Sequence, residues 1–327
     1  MKYLVTGGAG FIGSHLVRSL IESGHRVRVF DDFSTGKPEN IAGLDLELME
    51  GDVRDVEQVG RAVKGMDYVI HLAALASVSR SVKAPLASHS VNATGTLAVL
   101  QASKERGVKR VVFAGSSSAY GNSEKLPKRE DAVPAPASPY AVSKVAGEYY
   151  CRMYSATMGL EAACVRYFNV FGPRQDPDSE YAAVIPKFIE AALHGEEPVV
   201  HGDGKQSRDF TYVANAVDAT LRATTAKEAP GEIFNVACGE RRSLLDLLGE
   251  IESLLDVRLT PLFGDPRPGD VRHSLADIEK SKRLLGYVPR IGFTDGLQRT
   301  LEWFRSRQAV DEAGDTAARG QGRRSAR

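Results

Sequence analysis

The first half of the chain alternates between short apolar runs and stretches whose apolar residues recur every three or four positions. Lys2 to Thr6 (Lys-Tyr-Leu-Val-Thr) reads as a short buried strand, and beyond it Phe11, Ile12, Leu16, Leu20 and Ile21 share one helical face. Arg26 to Phe30 forms a second strand. The same alternation predicts strands near Leu46–Met49, Tyr68–His71, Arg110–Ala114 and Leu160–Tyr167. Helices near Val56–Val63, Leu86–Arg106 and Pro139–Ala156 separate them. Apolar strands that alternate with helical patterns predict an α/β fold, a doubly wound parallel sheet covered on both faces.

The second half is more mixed. Helices are expected near Ala183–His194, Ala214–Thr225, Leu244–Leu255, Asp277–Leu285 and Thr294–Ser306, with strands near Pro198–Val200 and at Ile233–Val236. A length of 327 residues suits two domains. The expected division gives residues 1–172 to the parallel sheet, to which the chain returns around 208–237. Residues 173–306 form mainly a smaller, mixed α/β substrate-binding domain. The tail 308–327 is rich in Ala, Gly, Arg and acids without apolar periodicity and is expected to be disordered.

Gly7, Gly10 and Gly13 follow the first strand and run into the first helix, which makes the fold Rossmann-like and its first turn a dinucleotide site. The first glycine allows a tight turn, the second a close approach to pyrophosphate, and the third close packing of helix on strand. The helix N-terminus offers free N–H groups and a positive dipole end to that anion. The second strand ends in Asp31, eighteen residues past Gly13, where a carboxylate can accept hydrogen bonds from the adenosine ribose. Asp32 follows and no arginine lies beside them, so NAD is favoured over NADP; Lys37 is the nearby cation that weighs the other way.

Composition narrows the class. Forty-two basic residues balance forty-two acidic ones, which leaves no global field for nucleic acid or an anionic membrane. No apolar run has the length of a membrane span. A strand that begins at residue 2 leaves no room for a signal peptide, and Cys151, Cys164 and Cys238 read as free thiols of a reducing compartment, so a cytoplasmic protein is expected. The seven histidines form no HxxxH or HxH cluster, and no metal is expected.

Tyr140 and Lys144 sit one helical turn apart behind Ser138-Pro139. A free tyrosine titrates near ~10, and a neighbouring ammonium together with a cationic nicotinamide favours the phenolate, which suits it to proton transfer. The strand before that helix ends in Gly115-Ser116-Ser117-Ser118-Ala119-Tyr120, whose serines can relay a substrate proton. A chance surface Tyr/Lys pair and an ordinary polar loop are the plainer readings.

In order along the chain, the glycine motif, Asp31, His71-Leu72-Ala73-Ala74, Asn92, the serine run and YxxxK resemble the extended short-chain dehydrogenase/reductase family, and within it the nucleotide-sugar 4-epimerases. The resemblance covers about residues 1–306. It continues through Arg166–Arg174, Gly202–Phe210 and Arg267-Pro268-Gly269-Asp270. It implies a catalytic set of Tyr140, Lys144, Ser117 and Ser116. It also implies NAD contacts from Gly7, Gly10, Phe11, Ile12, Gly13, Asp31, Asp32, Ser34, Gly36, Asp52, Val53, Leu72, Ala73, Ala74, Asn92, Tyr140, Lys144 and Tyr167. UDP-sugar contacts are implied for Ser77, Ser116, Ser117, Tyr140, Asn169, Ala183, Val184, Lys187, His201, Arg208, Arg267, Asp270 and Ser274. Asn169 would meet the diphosphate, Arg208 and Arg267 would pair with it, and Asp270 would hold a ribose hydroxyl. Surface pairing with Asp209 or Asp265 is the alternative for the two arginines.

Related dehydratases carry an acid pair where this chain has Ser117-Ser118, and related decarboxylases a glutamate where it has Ser118. Their absence leaves re-reduction of a 4-keto sugar on its other face, that is, C4 epimerisation without net redox. Ser274 stands where related epimerases vary one pocket wall, and a small residue there resembles those that admit the acetamido group of UDP-GlcNAc and UDP-GalNAc. UDP-glucose and UDP-galactose remain plausible substrates. Ser274 as a helix N-cap is the competing role. UDP-glucuronate 4-epimerase, another epimerase or dehydratase, and a non-catalytic NAD-sensing scaffold are the alternatives; such scaffolds typically lose the tyrosine or lysine kept here. A homodimer paired through the helices near 86–106 and 139–156 is expected by resemblance.

Overall fold

A computed structural model describes residues 1–177, 183–266 and 271–322. Strands and helices alternate through the first half: β1 (Lys2–Thr6), α1 (Phe11–Glu22), β2 (Arg26–Asp31), β3 (Glu47–Glu50), α2 (Val56–Val63) and β4 (Tyr68–His71). Next come α3 (Val78–Lys83), α4 (Pro85–His89), α5 (Gly95–Glu105), β5 (Arg110–Ser116), α6 (Pro139–Thr157) and β6 (Glu161–Tyr167). Shorter elements follow: β7 (Val170–Phe171), α7 (Val184–His194), β8 (Val199–His201), β9 (Ser207–Arg208), β10 (Thr211–Tyr212) and α8 (Val213–Thr225). The chain ends with β11 (Ile233–Val236), β12 (Arg242–Ser243), α9 (Leu244–Leu255), β13 (Leu262–Gly264), α10 (Glu279–Leu285) and α11 (Phe293–Gly322).

Seven strands form the main sheet in the order β11-β6-β5-β4-β1-β2-β3, all parallel. The strand order reverses between β1 and β4, which opens a crevice at their carboxyl ends. The inner strands are buried almost throughout, as a sheet covered on both faces demands. Leu16, Val17 and Leu20 of α1 join Val5, Val27 and Val29 in one apolar cluster, each fully buried side chain contributing about 1.5–3 kcal/mol. That cluster continues into Ile185, Phe188, Leu247, Ile251 and Leu297, so the second half of the chain packs on the sheet through a shared core. Its own strands make only two-stranded ribbons, β10-β7, β12-β9 and β13-β8. β11 brings the chain back to the main sheet beside β6.

Two differences from the sequence-based expectation have local causes. The helix expected near 86–106 is interrupted by a π-helical turn at Ser90–Thr94, which turns Asn92 toward Leu75 and Ser143. The last helix does not stop near Ser306: residues 308–322, read as part of a disordered tail, continue α11. Leu297, Leu301 and Phe304 anchor that helix in the core, and an Ala-, Gln- and Arg-containing segment without proline extends it with no new nucleation step. Residues 323–327 lie outside the described residues, as do Arg267 and Asp270.

Candidate active site

Two clefts open at the carboxyl ends of the strands, and both have Ala76, Asn169 and Val170 in their walls. The first, about 510 Å³, runs from the β1–α1 turn to Tyr140. The second, about 620 Å³, lies between residues 76–79 and the elements α7, β8 and β9.

The geometry of the first cleft fits a dinucleotide. Gly7 has φ +69°, and a Cβ there would stand 2.8 Å from the Ala73 nitrogen. A Cβ on Gly13 would stand 2.1 Å from the Gly7 carbonyl oxygen, so only glycine lets α1 pack this close. Gly10 caps α1 without a side-chain hydrogen bond and the first turn holds no acid, which leaves its N–H groups and dipole open to an anion. Asp31 closes β2 and accepts hydrogen bonds from the Ala9 and Phe33 N–H groups, both at 2.9 Å. Burial raises its pKa and those two bonds oppose the shift. A Cβ on Gly36 would lie 2.8 and 3.0 Å from the Asp31 carboxylate oxygens, so glycine keeps that carboxylate approachable. Lys37 pairs with Asp176 at 3.3 Å. The cation that weighed toward NADP is therefore engaged elsewhere.

Phe11, Ile12, Asp32, Ser34, Val53, Leu72, Ala73, Ala74 and Tyr167 also line this cleft, along with Gly10, Gly13 and Gly36. Asp52 and Asn92 do not. Asp52 is held by the Arg54 side chain, with Nε donating at 2.8 Å. Asn92 braces the wall from behind: its Oδ1 accepts from the Leu75 N–H at 2.8 Å and its Nδ2 donates to Ser143 Oγ at 3.2 Å. His71, quoted only as part of a motif, proves central to this brace. Thr96 Oγ1 donates to the Asn92 carbonyl at 2.5 Å, so His71 Nε2 carries the proton it shares with Thr96. Its Nδ1 then accepts from Thr6 Oγ1 at 2.7 Å, and burial lowers the imidazole pKa to about 3.

Tyr140, Lys144, Ser116 and Ser117 come together at the inner end of the first cleft. Ser138 caps α6 by accepting from the Ala141 N–H at 3.2 Å, and Pro139 occupies the first turn, which starts the helix where both side chains face the crevice. Burial raises the pKa of the Tyr140 phenol, and a hydrogen bond with Ser116 opposes it. Ser116 also accepts from Ser118, whose Oγ lies 2.9 Å away. Lys144 Nζ donates to the Ala114 carbonyl at 2.8 Å and stands 5.9 Å from the Tyr140 ring centre. Burial lowers its pKa to about 8, with the charge of Glu148 acting in the opposite direction.

The second cleft gathers Ser77, Asn169, Ala183, Val184, Lys187, His201 and Arg208 from distant parts of the chain, together with Gln206 and Phe210, which carried no separate signal. Arg208 Nη1 donates to the Ser207 carbonyl at 2.9 Å. The Asp209 carboxylate turns away from the surface and accepts from the N–H groups of Cys238, Gly239 and Ala276 at 2.9–3.1 Å. Asn169 has φ +34°, and its Nδ2 donates to the Asp209 carbonyl and to Ser274 Oγ, both at 3.2 Å. Both amide protons are thus committed inside the protein. Ser274 is buried behind Asn169 and is no helix cap, because α10 begins at Glu279. Among the described residues no cluster of His, Cys, Asp or Glu could hold a metal ion.

A glycine cradle, a carboxylate at the end of β2 and a Tyr-Lys pair in one cleft define a dinucleotide-dependent enzyme of the Rossmann type. The chain belongs to the NAD dependent epimerase/dehydratase family, which matches residues 3–237, and NAD is its cofactor. It is similar to a UDP-glucose 4-epimerase of Mycolicibacterium smegmatis, at 39% identity over 94% of this chain and 99% of that protein. A UDP-N-acetyl-alpha-D-glucosaminuronate decarboxylase of Bacillus cytotoxicus is 36% identical over 93% of this chain and 98% of its own. The solved UDP-N-acetylglucosamine 4-epimerase of Methanobrevibacter ruminantium, in complex with UDP-N-acetylmuramic acid, superposes with a TM-score of 0.90 at 40% identity, over 94% of this chain and 98% of that one.

Proposed function

We propose that the protein is a UDP-sugar 4-epimerase that interconverts UDP-GlcNAc and UDP-GalNAc and accepts UDP-glucose and UDP-galactose as well. One observation carries this reading. Tyr140, Lys144 and Ser116 line the dinucleotide cleft, which shares Ala76, Asn169 and Val170 with an arginine-bearing second cleft, and Ser117 and Ser118 occupy the positions of the acids that elimination or decarboxylation would need. Bound NAD supplies the oxidant that makes a transient 4-keto sugar and the reductant that consumes it. Tyr140 takes the C4 hydroxyl proton, through Ser116 or directly, and returns it at the end of the cycle. Lys144 holds the phenolate by its charge. Arg208, and Arg267 with it, pair with the diphosphate, Asp270 with the ribose, and Ser274, which lines neither cleft itself, sets the room beside the C2 substituent by placing Asn169 in front of it.

Exposed apolar side chains on α3, α4 and α6 support a homodimer built on these helices: Val82, Val142 and Tyr149 are more than half exposed, and Leu86 is 84% exposed. Three free cysteines support a reducing, cytoplasmic setting. No described helix is long and apolar enough to cross a membrane. Incubating the purified enzyme, without added reductant, with UDP-glucose, UDP-GlcNAc, UDP-galactose and UDP-glucuronate, and separating the products, tests the reading. Interconversion of the N-acetylhexosamine pair is expected. Turnover of UDP-glucuronate alone, or a need for stoichiometric NADH, would overturn it.

A further inference from the structure

Tyr140, Lys144 and Glu148 follow one another by single turns along one face of α6. The first two line the cleft. The third is 1% exposed and forms a bidentate pair with Arg166 of β6, which is equally buried: Arg166 Nε and Nη2 donate to the two carboxylate oxygens at 2.7 Å each. Nothing in the proposed chemistry uses this pair, and an isolated buried ion pair is a weak source of stability. Its placement is asymmetric. The guanidinium lies 4.6 Å from the centre of the Tyr120 ring, and its Nη1 has no hydrogen-bond partner. The carboxylate instead packs on the strand end that receives the lysine. A Cβ on Gly115 would stand 3.0 Å from Glu148 Oε1, and the residue before it, Ala114, is the one whose carbonyl accepts Lys144 Nζ.

We propose that Glu148, anchored by Arg166, is the positioning residue that keeps Lys144 an ammonium against the Ala114 carbonyl and so sets the alkaline limit of the reaction. The inference rests on the roles given above to Tyr140 and Lys144. Around Lys144 stand Tyr140 of α6, His71 of β4 and Cys164 of β6, with the Phe113 ring of β5 at 5.0 Å. Burial keeps His71 neutral and pushes the Cys164 thiol well up, so neither supplies an anion near neutral pH. Glu148 is the carboxylate of this group, and its charge is the largest influence that opposes the burial of Lys144. Arg166 makes that carboxylate possible: burial disfavours its own charge, and the hydrogen bonds and charge of Glu148 more than offset this and raise its pKa.

The test is the pH profile of kcat/KM for UDP-glucose or UDP-GlcNAc, measured on the enzyme with its NAD. The wild-type alkaline limb is expected near pH 8, because the lysine must stay protonated and loses its proton as pH rises. Glu148→Gln removes the carboxylate, and the limb should move down by about one pH unit, about a tenfold further loss at a fixed alkaline pH. Glu148→Asp keeps the charge and should hold the limb close to the wild-type position even if kcat falls. Because Glu148→Gln leaves Arg166 buried and unpaired, a Glu148→Leu/Arg166→Met double variant, apolar in both positions, provides a folded alternative; it removes a cation together with the carboxylate and should show a smaller shift in the same direction. A limb that stays at the wild-type pH in either folded variant, or a wild-type profile flat to about pH 10, overturns the proposal. Full activity of Tyr140→Phe would instead overturn the reading beneath it.

Discussion

The cofactor cleft takes its key features from one continuous stretch, β1 through α1 and β2 to the loop that follows, in which backbone geometry does most of the shaping: a positive φ at Gly7, glycine contacts at Gly13 and Gly36, and the open N-terminus of α1. The second cleft, the proposed substrate cleft, is assembled differently. Its wall draws on residues 76–79, 169–171, 183–188 and 199–210, which lie on short ribbons, loops and the first turns of α3 and α7 and are brought together as α7 and α9 pack into the core shared with α1. One region presents N–H groups and space. The other presents side chains, and the Asp209–Ser274–Asn169 hydrogen bonds hold its wall. A site made of backbone is sensitive to a single added methyl group, whereas a site made of side chains should lose its contacts one at a time.

The largest effect should come from the Tyr-Lys pair of the first cleft. Tyr140→Phe removes proton transfer and should lower kcat by at least ~10²-fold, while calorimetric titration with UDP still shows binding. Retention of near wild-type turnover would remove Tyr140 from the mechanism. In the cofactor cleft, Gly13→Ala places a methyl group 2.1 Å from the Gly7 carbonyl oxygen. Overpacking of about 1–3 kcal/mol should reduce both the melting temperature and the NAD that remains bound on purification, read by acid release and chromatography. An unchanged NAD content would mean that α1 can shift without cost.

In the substrate cleft, Arg208→Ala should raise KM for the UDP-sugar about 10–100-fold, as for the loss of a charged hydrogen bond, and leave the NAD content intact. If kcat falls instead of KM rising, the arginine belongs to the chemistry and not to diphosphate binding. The smallest effect is a ratio. Ser274→Tyr should lower kcat/KM for UDP-GlcNAc about tenfold relative to UDP-glucose. Its hydroxyl also takes hydrogen bonds from Asn169 and Asp209, so some loss of both activities is expected. An unchanged ratio would end the role of Ser274 as a gate.

The contrast also explains what could be read early. The parallel strands and the start of α6 were legible because apolar periodicity and the Ser138-Pro139 cap are local signals. Asn92 was singled out for cofactor contact, but the π turn that directs it to Leu75 and Ser143 leaves no mark in the periodicity of 86–106. Asp52 sits beside the cleft, and its engagement by Arg54 depends on a loop conformation that no short-range pattern encodes. Gln206 and Phe210 went unremarked as contacts because their value depends entirely on which segments face them.

By itself the sequence determined the sheet, the dinucleotide turn, Asp31 at the end of β2, and the Tyr140–Lys144 spacing, because each depends on neighbours within a few turns or a single βαβ unit. Only the tertiary structure decided that Lys37 is engaged by Asp176, that Asp209 turns its carboxylate to three backbone N–H groups, and that Glu148 meets Arg166 beneath Lys144. The physical reason is common to all three. Buried charges and hydrogen bonds take their partners from whatever the packed core brings within reach, and that choice is made across the sheet, not along the chain.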